Sequence, residues 1–550
     1  MLAAILYILP LFTVSVLALP AEPDVNVVDL GYSSYQGTSL ENGVSRWLGI
    51  RYAAPPVGDL RFRAPTDPLK TTTLQRADAF GNVCISTTAP PNTAGYSEDC
   101  LFLDVYAPTN AKQGKPLPVF IYIQGGGFNS NSNPNYSGVG LVKASDNNII
   151  VITFNYRVGP YGFLASDEIR KGGDFNIGLK DQRKVFEWVQ RHISEFGGDP
   201  KHVTLGGCSA GAASIDLHLT AYGGRDDNLF HATAAESPSF GVQFTVKESQ
   251  YQYDALVERA GCKSASDTLA CLRELSERDL QSVNFNIPTP GGTDDLPLFM
   301  YSNVVDGDIT TDFTYNLFGQ GKFIKVPVIF GDDTNGGTIF APMSADTATA
   351  MNYFLRTQFP LLTKEHLARI DELYPEGNKY PNAGRYWQST SDAYGHMRYM
   401  CPAMYLSAVY AKKSIPSWNY RYNVEDPVSK ANGLGVSHTI EVSAIFGPEY
   451  SRGAAPASYY SINKNAVPLM QGYWTSFIRT FDGNTLEAVT LVSFVVTRAE
   501  WMLISEISNL EGVQFFGAST TFECHALGNG RVCATATFRT GVGEVKAFWA

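Results

Sequence analysis

One serine lies between two glycines in the segment LGGCSAGAAS (205–214), in the pattern Gly207-x-Ser209-x-Gly211. A short strand-like run, HVTL, precedes it, and small helix-forming residues follow it. In a sharp strand-to-helix turn the two backbones approach closely, so glycines fit on either side, and the serine hydroxyl is exposed at the positive end of the helix. The pattern alone is common in a glycine-rich chain. In this context it predicts that Ser209 is a nucleophile.

A second segment could stabilise the negative charge that develops when a serine attacks an ester carbonyl. IQGGGFN (123–129) follows a strand-like run, and its three glycines present N–H groups that no side chain covers. Together with the N–H of Ala210, those of Gly126 and Gly127 could form an oxyanion hole with three donors. Each donor of this kind lowers the barrier by about 3 kcal/mol. A flexible turn is the alternative interpretation of the three glycines alone.

The general base that such a serine needs is predicted to be His438. It lies in GVSHTIEVSAIFG (435–447), far downstream of the serine, where a site with the chain order serine, acid, histidine would place it. His202 precedes the nucleophile strand and His218 lies along the following helix, so both are predicted to be structural. His192 is predicted to be a surface residue of a helix.

The predicted nucleophile, oxyanion-hole donors and base are far apart in the sequence, so the fold must bring them together. A sheet whose strands end at one edge does so. The predicted strands are 118–123, 149–154, 202–205 and 326–331. A helix is predicted over 181–196, where Gly197 and Gly198 then end it. Strands that alternate with helices predict an α/β fold, with a large, mostly parallel central sheet and helices on both faces. The irregular segment 245–320 is interpreted as helical insertions over the carboxyl edge of the sheet.

The bulk composition excludes several classes of function. With 44% hydrophobic and 17% charged residues, the chain of 550 residues is typical of a globular protein and not of a disordered one. Its net charge of −11 argues against a nucleic-acid partner, because phosphate binding requires clustered lysine and arginine. No metal-ligand spacing and no nucleotide-binding loop is present in the sequence, so no metal and no cofactor are expected.

The amino terminus and the cysteines predict a secreted protein. The apolar run from Leu2 to Leu19 ends in small residues, which predicts a signal peptide over 1–18. A membrane anchor is the alternative, disfavoured because the run is short and contains Pro10. Asn135 begins a sequon for N-glycosylation. No later stretch is apolar and long enough for stable membrane insertion.

Six of the eight cysteines form closely spaced pairs, and short loops closed by disulfides are expected in an oxidising compartment, each adding roughly 2–4 kcal/mol. The pairs are Cys84 and Cys100, Cys262 and Cys271, and Cys524 and Cys533. Cys208 and Cys401 are predicted to be unpaired core thiols.

Several longer segments carry a family resemblance. They are GIRYAAPPVGDLRFRAP (49–65), SEDCLFLDVYAP (97–108), NYRVGPYGFLAS (155–166), NIGLKDQRKVFEWVQ (176–190) and FGGDPKHVTLGGCSAG (196–211). With the glycine loop and the His438 segment, they resemble the type-B carboxylesterase and lipase family, the cholinesterase-like branch of the α/β-hydrolases. AYGGRDDNLF and AESPSF are similar to secreted filamentous-fungal members in particular. The resemblance covers about residues 25 to 480, and the predicted domains are 19–480 and a divergent tail, 481–550.

The resemblance implies a Ser–Glu–His triad and the disulfides Cys84–Cys100 and Cys262–Cys271. In the family, the acid-bearing loop reads like GDDTNEGT, whereas this chain has GDDTNGGT, so the glutamate position is occupied by Gly336. Asp332 and Asp333 in the same loop, and Glu236 after the strand-like HATAAE, are candidate substitute acids. The alternative interpretation, that they are loop-capping carboxylates, is favoured over a catalytic role. Glu441 is expected to be a helix N-terminal or supporting group.

Two further positions depart from the family pattern. Cys208 replaces the acidic residue that usually precedes the serine, and it is expected to be a small buried residue. The loss of that negative charge predicts a neutral or apolar substrate and not a choline ester. Gln124 replaces a histidine often found before the three glycines, and this change is expected to be tolerated because the backbone forms the hole.

The sequence therefore predicts a secreted carboxylic ester hydrolase with a serine acyl-enzyme mechanism, slowed by the absence of the triad glutamate. Its expected partner is a small-molecule ester or a lipid. A catalytically silent binding protein on an esterase scaffold is one alternative, and non-hydrolytic acyl transfer or cyclisation in secondary metabolism is another.

Overall fold

The computed structural model describes residues 26–453 and 455–483, and the backbone of four strands at 501–505, 520–526, 532–540 and 543–548. The predicted signal peptide lies outside the described residues, as do the side chains of Cys524 and Cys533. Within the described residues, no helix combines the length and the apolar character that crossing a membrane requires.

The strands are, in chain order, β1 (Val27–Asp29), β2 (Ser34–Gln36), β3 (Thr38–Ser39), β4 (Val44–Arg51), β5 (Gln75–Arg76), β6 (Val83–Cys84), β7 (Tyr96–Ser97), β8 (Phe102–Pro108), β9 (Leu117–Ile123), β10 (Ile150–Phe154), β11 (Gly198–Cys208), β12 (Ala232–Glu236), β13 (Phe244–Thr245), β14 (Val304–Val305), β15 (Val328–Asp333), β16 (Ser417–Asn423), β17 (Trp501–Ser505), β18 (Thr520–Ala526), β19 (Val532–Thr540) and β20 (Gly543–Phe548). The central sheet has ten strands in the order β17-β16-β15-β12-β11-β9-β10-β8-β4-β3. Neighbours from β17 to β10 are parallel, and those from β10 to β3 are antiparallel.

The α-helices are, in chain order, α1 (Val139–Ala144), α2 (Gly159–Phe163), α3 (Asp167–Gly172), α4 (Ile177–His192), α5 (Ala210–Gly224), α6 (Val246–Arg259), α7 (Thr268–Glu274), α8 (Glu277–Ser282), α9 (Thr314–Gln320), α10 (Ala348–Gln358), α11 (Lys364–Leu373), α12 (Trp387–Gly395), α13 (Cys401–Lys412), α14 (Pro427–Ala431), α15 (Val442–Phe446) and α16 (Ala466–Thr480). A single turn of π-helix, His396–Met400, joins α12 to α13. Turns of this kind are frequent at functional sites.

Both faces of the sheet are covered by hydrophobic residues. Along β9, Val119 and Ile121 belong to one hydrophobic core, and Phe120 and Tyr122 to another. A strand buried on both faces has a continuous apolar sequence, as PVFIYI does. The predicted α/β fold with a mostly parallel sheet is confirmed.

The predicted local elements also form, with shifted ends. The helix predicted over 181–196 begins earlier, at Ile177, and continues after His192 as a 3₁₀ turn, Ile193–Phe196. The segment 245–320 contains α6 to α9, as expected for helical insertions. A further helical segment from α10 to the π-helical turn has its own small core, which includes Tyr394 and Tyr399.

The disulfides Cys84–Cys100 and Cys262–Cys271 are both present, which confirms the two implied pairings. Cys208 and Cys401 are free and buried, as predicted for core thiols.

Candidate active site

Ser209 lies on a tight turn between β11 and α5. Its backbone has a φ of +56° and a ψ of −121°, a conformation that is strained for a residue with a side chain. The flanking glycines are required sterically. A Cβ added to Gly211 would lie 1.9 Å from the carbonyl oxygen of Ile123, and one added to Gly207 would lie 2.8 Å from backbone atoms of Gly211 and Ile123. The Ser209 N–H donates to the carbonyl of Glu236 at 2.9 Å, which holds the turn against β12.

The glycine loop after β9 lies directly against this serine. A Cβ added to Gly125 would lie 2.9 Å from Cβ of Ser209. Gly126 and Gly127 have φ values of +116° and +60°. Within the described residues, the N–H groups of Gly126, Gly127 and Ala210 donate to no protein acceptor. The three predicted donors are therefore free to bind a ligand oxygen.

Side chains fix the shape of this loop. Asn129 Nδ2 donates to the carbonyls of Gly127 at 2.6 Å and of Tyr301 at 2.8 Å. Gln124 Nε2 donates to Oδ1 of Asn131 at 2.8 Å and of Asn155 at 2.9 Å. Gln124 thus braces the loop through its side-chain amide and leaves the backbone N–H groups available.

The segment that carries His438 is paired with the loop that contains Gly336. The N–H of Asn335 donates to the carbonyl of Val436 at 2.9 Å, and Asn335 Oδ1 accepts from the N–H of Val436 at 3.0 Å. His438 is therefore brought to the carboxyl edge of the sheet beside the end of β15.

The imidazole of His438 is held by aromatic rings. Its ring stacks on Tyr399 with centroids 4.0 Å apart and lies edge-on to Phe340 at 5.4 Å. Both ring nitrogens are buried and have no hydrogen-bond partner in the described part of the chain, neither Ser209 nor a carboxylate. Burial, and then the positive charge of Arg398, lower the pKa of His438 to about 3. The imidazole is therefore neutral at physiological pH.

Position 336, where the family resemblance would place a glutamate, is open and borders on Tyr399. A Cβ added to Gly336 would have ordinary contacts only, 3.6 Å from Cδ2 of Tyr399 and 3.7 Å from the carbonyl oxygen of Asp333. The ring of Tyr399 thus touches both this position and His438. Neither Tyr399 nor Phe340 was predicted from the sequence, because an aromatic residue in an insertion has no signal that distinguishes it from a core residue.

The carboxyl groups near the site make other contacts. Asp333 Oδ2 accepts hydrogen bonds from the N–H of Thr439 at 2.6 Å and from Ser237 Oγ at 3.1 Å. It holds the backbone directly after His438 and not the imidazole. Burial, and then the neighbouring Glu441, raise the pKa of Asp333 well above its usual range.

The other acidic candidates are equally buried. Glu236 Oε1 accepts from Trp474 Nε1 at 2.9 Å, and both oxygens of Asp332 lack a hydrogen-bond partner in the described residues. Burial raises the pKa of both groups well above the usual range. Tyr420 donates to Glu441 Oε1 at 3.1 Å, and burial raises the pKa of Glu441 too. Burial therefore favours the protonated form of each of these carboxyl groups.

Cys208 points into the core. Its thiol lies 3.1 Å from both Tyr122 Oη and Asn133 Oδ1, and burial raises its pKa. His202 Nε2 lies 2.9 Å from the carbonyl of Ile478. His218 Nε2 lies 2.9 Å from Gln182 Oε1. These contacts are structural and none involves Ser209.

A cleft opens beside the serine and contains about 840 Å³ of empty space, including its mouth. Its walls include Phe128 from the glycine loop and Ala213 from α5, and most of the lining is apolar. Ser239, at another wall, donates its N–H to the carbonyl of Ser209 at 3.2 Å. The cleft is shaped for a largely apolar molecule, and Ser239 connects its wall to the serine turn.

Comparison with known proteins gives one consistent picture. A model of the carboxylesterase family matches residues 24–511. "Secreted lipase 4" of Gibberella zeae is 30% identical over 486 residues, which cover 84% of this chain and 85% of the lipase. "Lipase 1" of Geotrichum candidum is 35% identical over 381 residues, which cover 61% of this chain and 67% of that lipase. The crystal structure of Aspergillus niger EstA is 41% identical, with a TM-score of 0.85, and the match covers 89% of this chain and 94% of EstA.

Proposed function

The chain belongs to the carboxylesterase family, and from this premise we propose that it hydrolyses carboxylic esters through Ser209. The observation that carries the proposal is the approach of the glycine loop to the serine turn, with 2.9 Å between Ser209 Cβ and a Cβ added to Gly125. Three unused N–H groups, of Gly126, Gly127 and Ala210, accompany it. This arrangement suits a tetrahedral intermediate whose oxyanion accepts from those donors.

In the proposed reaction, Ser209 Oγ attacks the ester carbonyl while His438 takes its proton. The tetrahedral intermediate collapses to an acyl-enzyme, and the alcohol leaves with the proton from His438. Water then repeats the sequence and releases the acid. Because both ring nitrogens of His438 are free, the ring must come within hydrogen-bond distance of Ser209 during this step.

The hydrolase is expected to be slow. No carboxylate bonds to His438 in the described residues, and loss of the triad acid costs on the order of 10⁴ in kcat elsewhere. Of the candidate substitute acids, Asp333 is favoured over Asp332 and Glu236, because it holds the N–H of Thr439 next to the histidine. Because Asp333 contacts this backbone N–H and not the imidazole, it positions the histidine backbone and does not take the place of the triad acid.

We further propose that the substrate has a neutral or apolar body and that the enzyme acts outside the cell. The apolar cleft supports the first point. The similarity to a secreted lipase and the two disulfides support the second.

Labelling with a fluorophosphonate probe tests the function. Such probes react with activated serines, so we expect the folded protein to be labelled and Ser209→Ala to remain unlabelled. Hydrolysis of p-nitrophenyl butyrate should fall to background in the same variant. If the folded parent protein were neither labelled nor active, the proposal would fail.

One observation favours the second candidate, a silent binding protein. Among the described residues, neither nitrogen of the His438 imidazole has a hydrogen-bond partner, which is the arrangement expected where catalysis has been lost. In that case the cleft would bind an ester or lipid without turnover, and Ser209→Ala would leave its affinity unchanged.

A further inference from the structure

Arg398, in the π-helical turn between α12 and α13, is a buried cation with no counter-ion among the described residues. It is only 6% exposed, and it forms no ion pair with a carboxylate in the described part of the chain. Its Nε donates to Ser239 Oγ at 2.9 Å. The guanidinium carbon lies 4.9 Å from the ring centre of Phe299 and 5.8 Å from that of Tyr394. These contacts are neutral, so no described residue compensates its charge.

Two other buried arginines of the same molecule show what compensation looks like. Arg61 donates from Nε and Nη2 to both oxygens of Glu98, at 2.8 and 2.6 Å. Arg157 does the same with Asp181, at 2.8 and 2.6 Å. Taking a charge out of water costs several kcal/mol unless it is paired, so these pairs are the expected arrangement. Arg398 lacks a paired carboxylate of this kind in the described residues.

The guanidinium adjoins the proposed reaction centre on several sides. Ser239, which accepts from Arg398, donates its N–H to the carbonyl of Ser209. Phe299, on which the guanidinium stacks, packs on the glycine loop, since a Cβ added to Gly127 would lie 2.0 Å from its ring. The charge of Arg398 also lowers the pKa of His438.

The two terminal nitrogens of Arg398 face the wall of the cleft. Within the described residues, Nη1 and Nη2 have no acceptor, and neither is among the fully enclosed polar atoms without a partner, so each keeps some accessible surface. A Cβ added to Gly241, which lines the cleft, would lie 3.1 Å from Nη2 and 3.2 Å from Nη1. Because residue 241 is glycine, no side chain covers this edge of the guanidinium.

We propose that Arg398 binds a carboxylate of the substrate, so that the preferred substrate is an ester with an apolar body and a second, free carboxylate group. The inference rests on the proposed ester hydrolysis and narrows its substrate class. The planar guanidinium offers two parallel N–H groups to a carboxylate, which gives both charge compensation and orientation. An apolar cleft with a buried cation directly behind Gly241 of its wall would distinguish a half-ester of a dicarboxylic acid from a fully neutral ester.

A substrate carboxylate bound to Arg398 would also affect catalysis. A carboxylate bound to Arg398 offsets the positive charge that opposes protonation of His438, so the imidazolium formed during serine attack becomes more stable. The acidic group should therefore raise kcat as well as lower KM. A contact that contributed binding alone would change KM only.

Monohexyl esters of succinic, glutaric and adipic acid test the proposal against the hexyl esters of the corresponding ω-amides, which have nearly the same shape and no charge. We expect the parent protein to prefer the best acid over its amide by tenfold or more in kcat/KM. Arg398→Gln should reduce that ratio to about one, and Arg398→Lys, which keeps the charge without the fork, should give an intermediate ratio. A ratio near one in the parent, or one that Arg398→Gln leaves unchanged, would overturn the proposal.

A binding measurement separates this proposal from ester hydrolysis itself. If the parent hydrolysed none of the esters, calorimetric titration of Ser209→Ala with monohexyl glutarate would decide the question. Binding that is lost in Ser209→Ala/Arg398→Gln and weakened in Ser209→Ala/Arg398→Lys would support the anion site even in a silent protein. Equal affinity for the ester and its amide would refute it.

Discussion

The two halves of the candidate site are built in different ways. In the half that carries Ser209, backbone geometry determines the arrangement: added Cβ atoms at Gly125, Gly126 and Gly211 would collide with neighbouring atoms at 1.9 to 2.9 Å. In the half that carries His438, side chains determine it, through the stacked ring of Tyr399 and the edge of Phe340. The serine half presents free backbone N–H donors. The histidine half presents an imidazole that has no hydrogen-bond partner in the described residues.

This difference identifies which part of catalysis the molecule retains. An oxyanion hole made of backbone N–H groups uses no side chain as a donor, so it does not depend on the residue at position 336. A triad acid is a single side chain, and this chain has glycine at position 336, where the family resemblance places that acid. Serine and an oxyanion hole alone still support residual catalysis over water, about 10³ to 10⁴ in other hydrolases.

Gly126→Ala should break the serine half and give the largest of the effects argued here. The new Cβ would lie 2.0 Å from the carbonyl oxygen of Ser130, and the φ of +116° disfavours any side chain, so the loop must shift. Displacing a donor of the hole should lower kcat for p-nitrophenyl butyrate by about 10² to 10³.

Gly43→Ala is the matched control for that variant. Gly43 also has a positive φ, +82°, but a Cβ there would meet no atom within 4 Å, and the residue precedes β4. Gly43→Ala therefore tests the effect of backbone strain alone, without a shift of the glycine loop. An equal loss of kcat in both variants would mean that the glycine loop has no special role.

Gly336→Glu should repair the histidine half and raise kcat/KM tenfold or more. The position is open, and a side chain there starts beside Tyr399 and near the His438 segment, so a carboxylate can stabilise the imidazolium. Gly336→Gln, with the same shape and no charge, is the control. A similar gain from glutamine, or no gain from glutamate in a folded protein, would contradict the interpretation that an acid is missing.

The pH profile gives the same variant a second readout. A general base is active only when unprotonated, so activity is lost as the pH falls through the pKa of His438. With that pKa lowered to about 3, the parent should show no acidic loss of kcat/KM between about pH 5 and 8. A carboxylate at position 336 raises the pKa, so the acidic limb of the profile should move upward in Gly336→Glu and not in Gly336→Gln.

The serine half could be predicted from the sequence because its constraints are local. Gly207, Ser209 and Gly211 occupy fixed positions in one short turn, and the runs around them alternate as strand and helix. The two disulfide pairings followed from the family resemblance. The mostly parallel sheet followed from the apolar strands that alternate with helices. In each case a short pattern determines a backbone conformation or a covalent link.

The histidine half could not be predicted in the same way, because its partners come from a distant insertion. Tyr399 and Arg398 are adjacent in sequence, and a turn of π-helix presents one to His438 and the other to Ser239. Nothing in the pattern HMRYM indicates that turn. Asp333 was identified as a candidate acid, but its contact with a backbone N–H instead of the imidazole depends on how the His438 loop folds.

Tyr399→Leu should loosen the histidine half with the smallest effect. The stacked ring, with its centroid 4.0 Å from that of His438, is the contact that orients an imidazole lacking hydrogen bonds. Aromatic pairs contribute about 0.5–1.5 kcal/mol beyond burial, which corresponds to a loss of about twofold to tenfold in kcat. Tyr399→Phe keeps the ring and removes a hydroxyl that has no partner in the described residues, so its kcat should stay within about twofold of the parent. If the phenylalanine variant lost as much activity as the leucine variant, the hydroxyl and not the stacked ring would be what His438 requires.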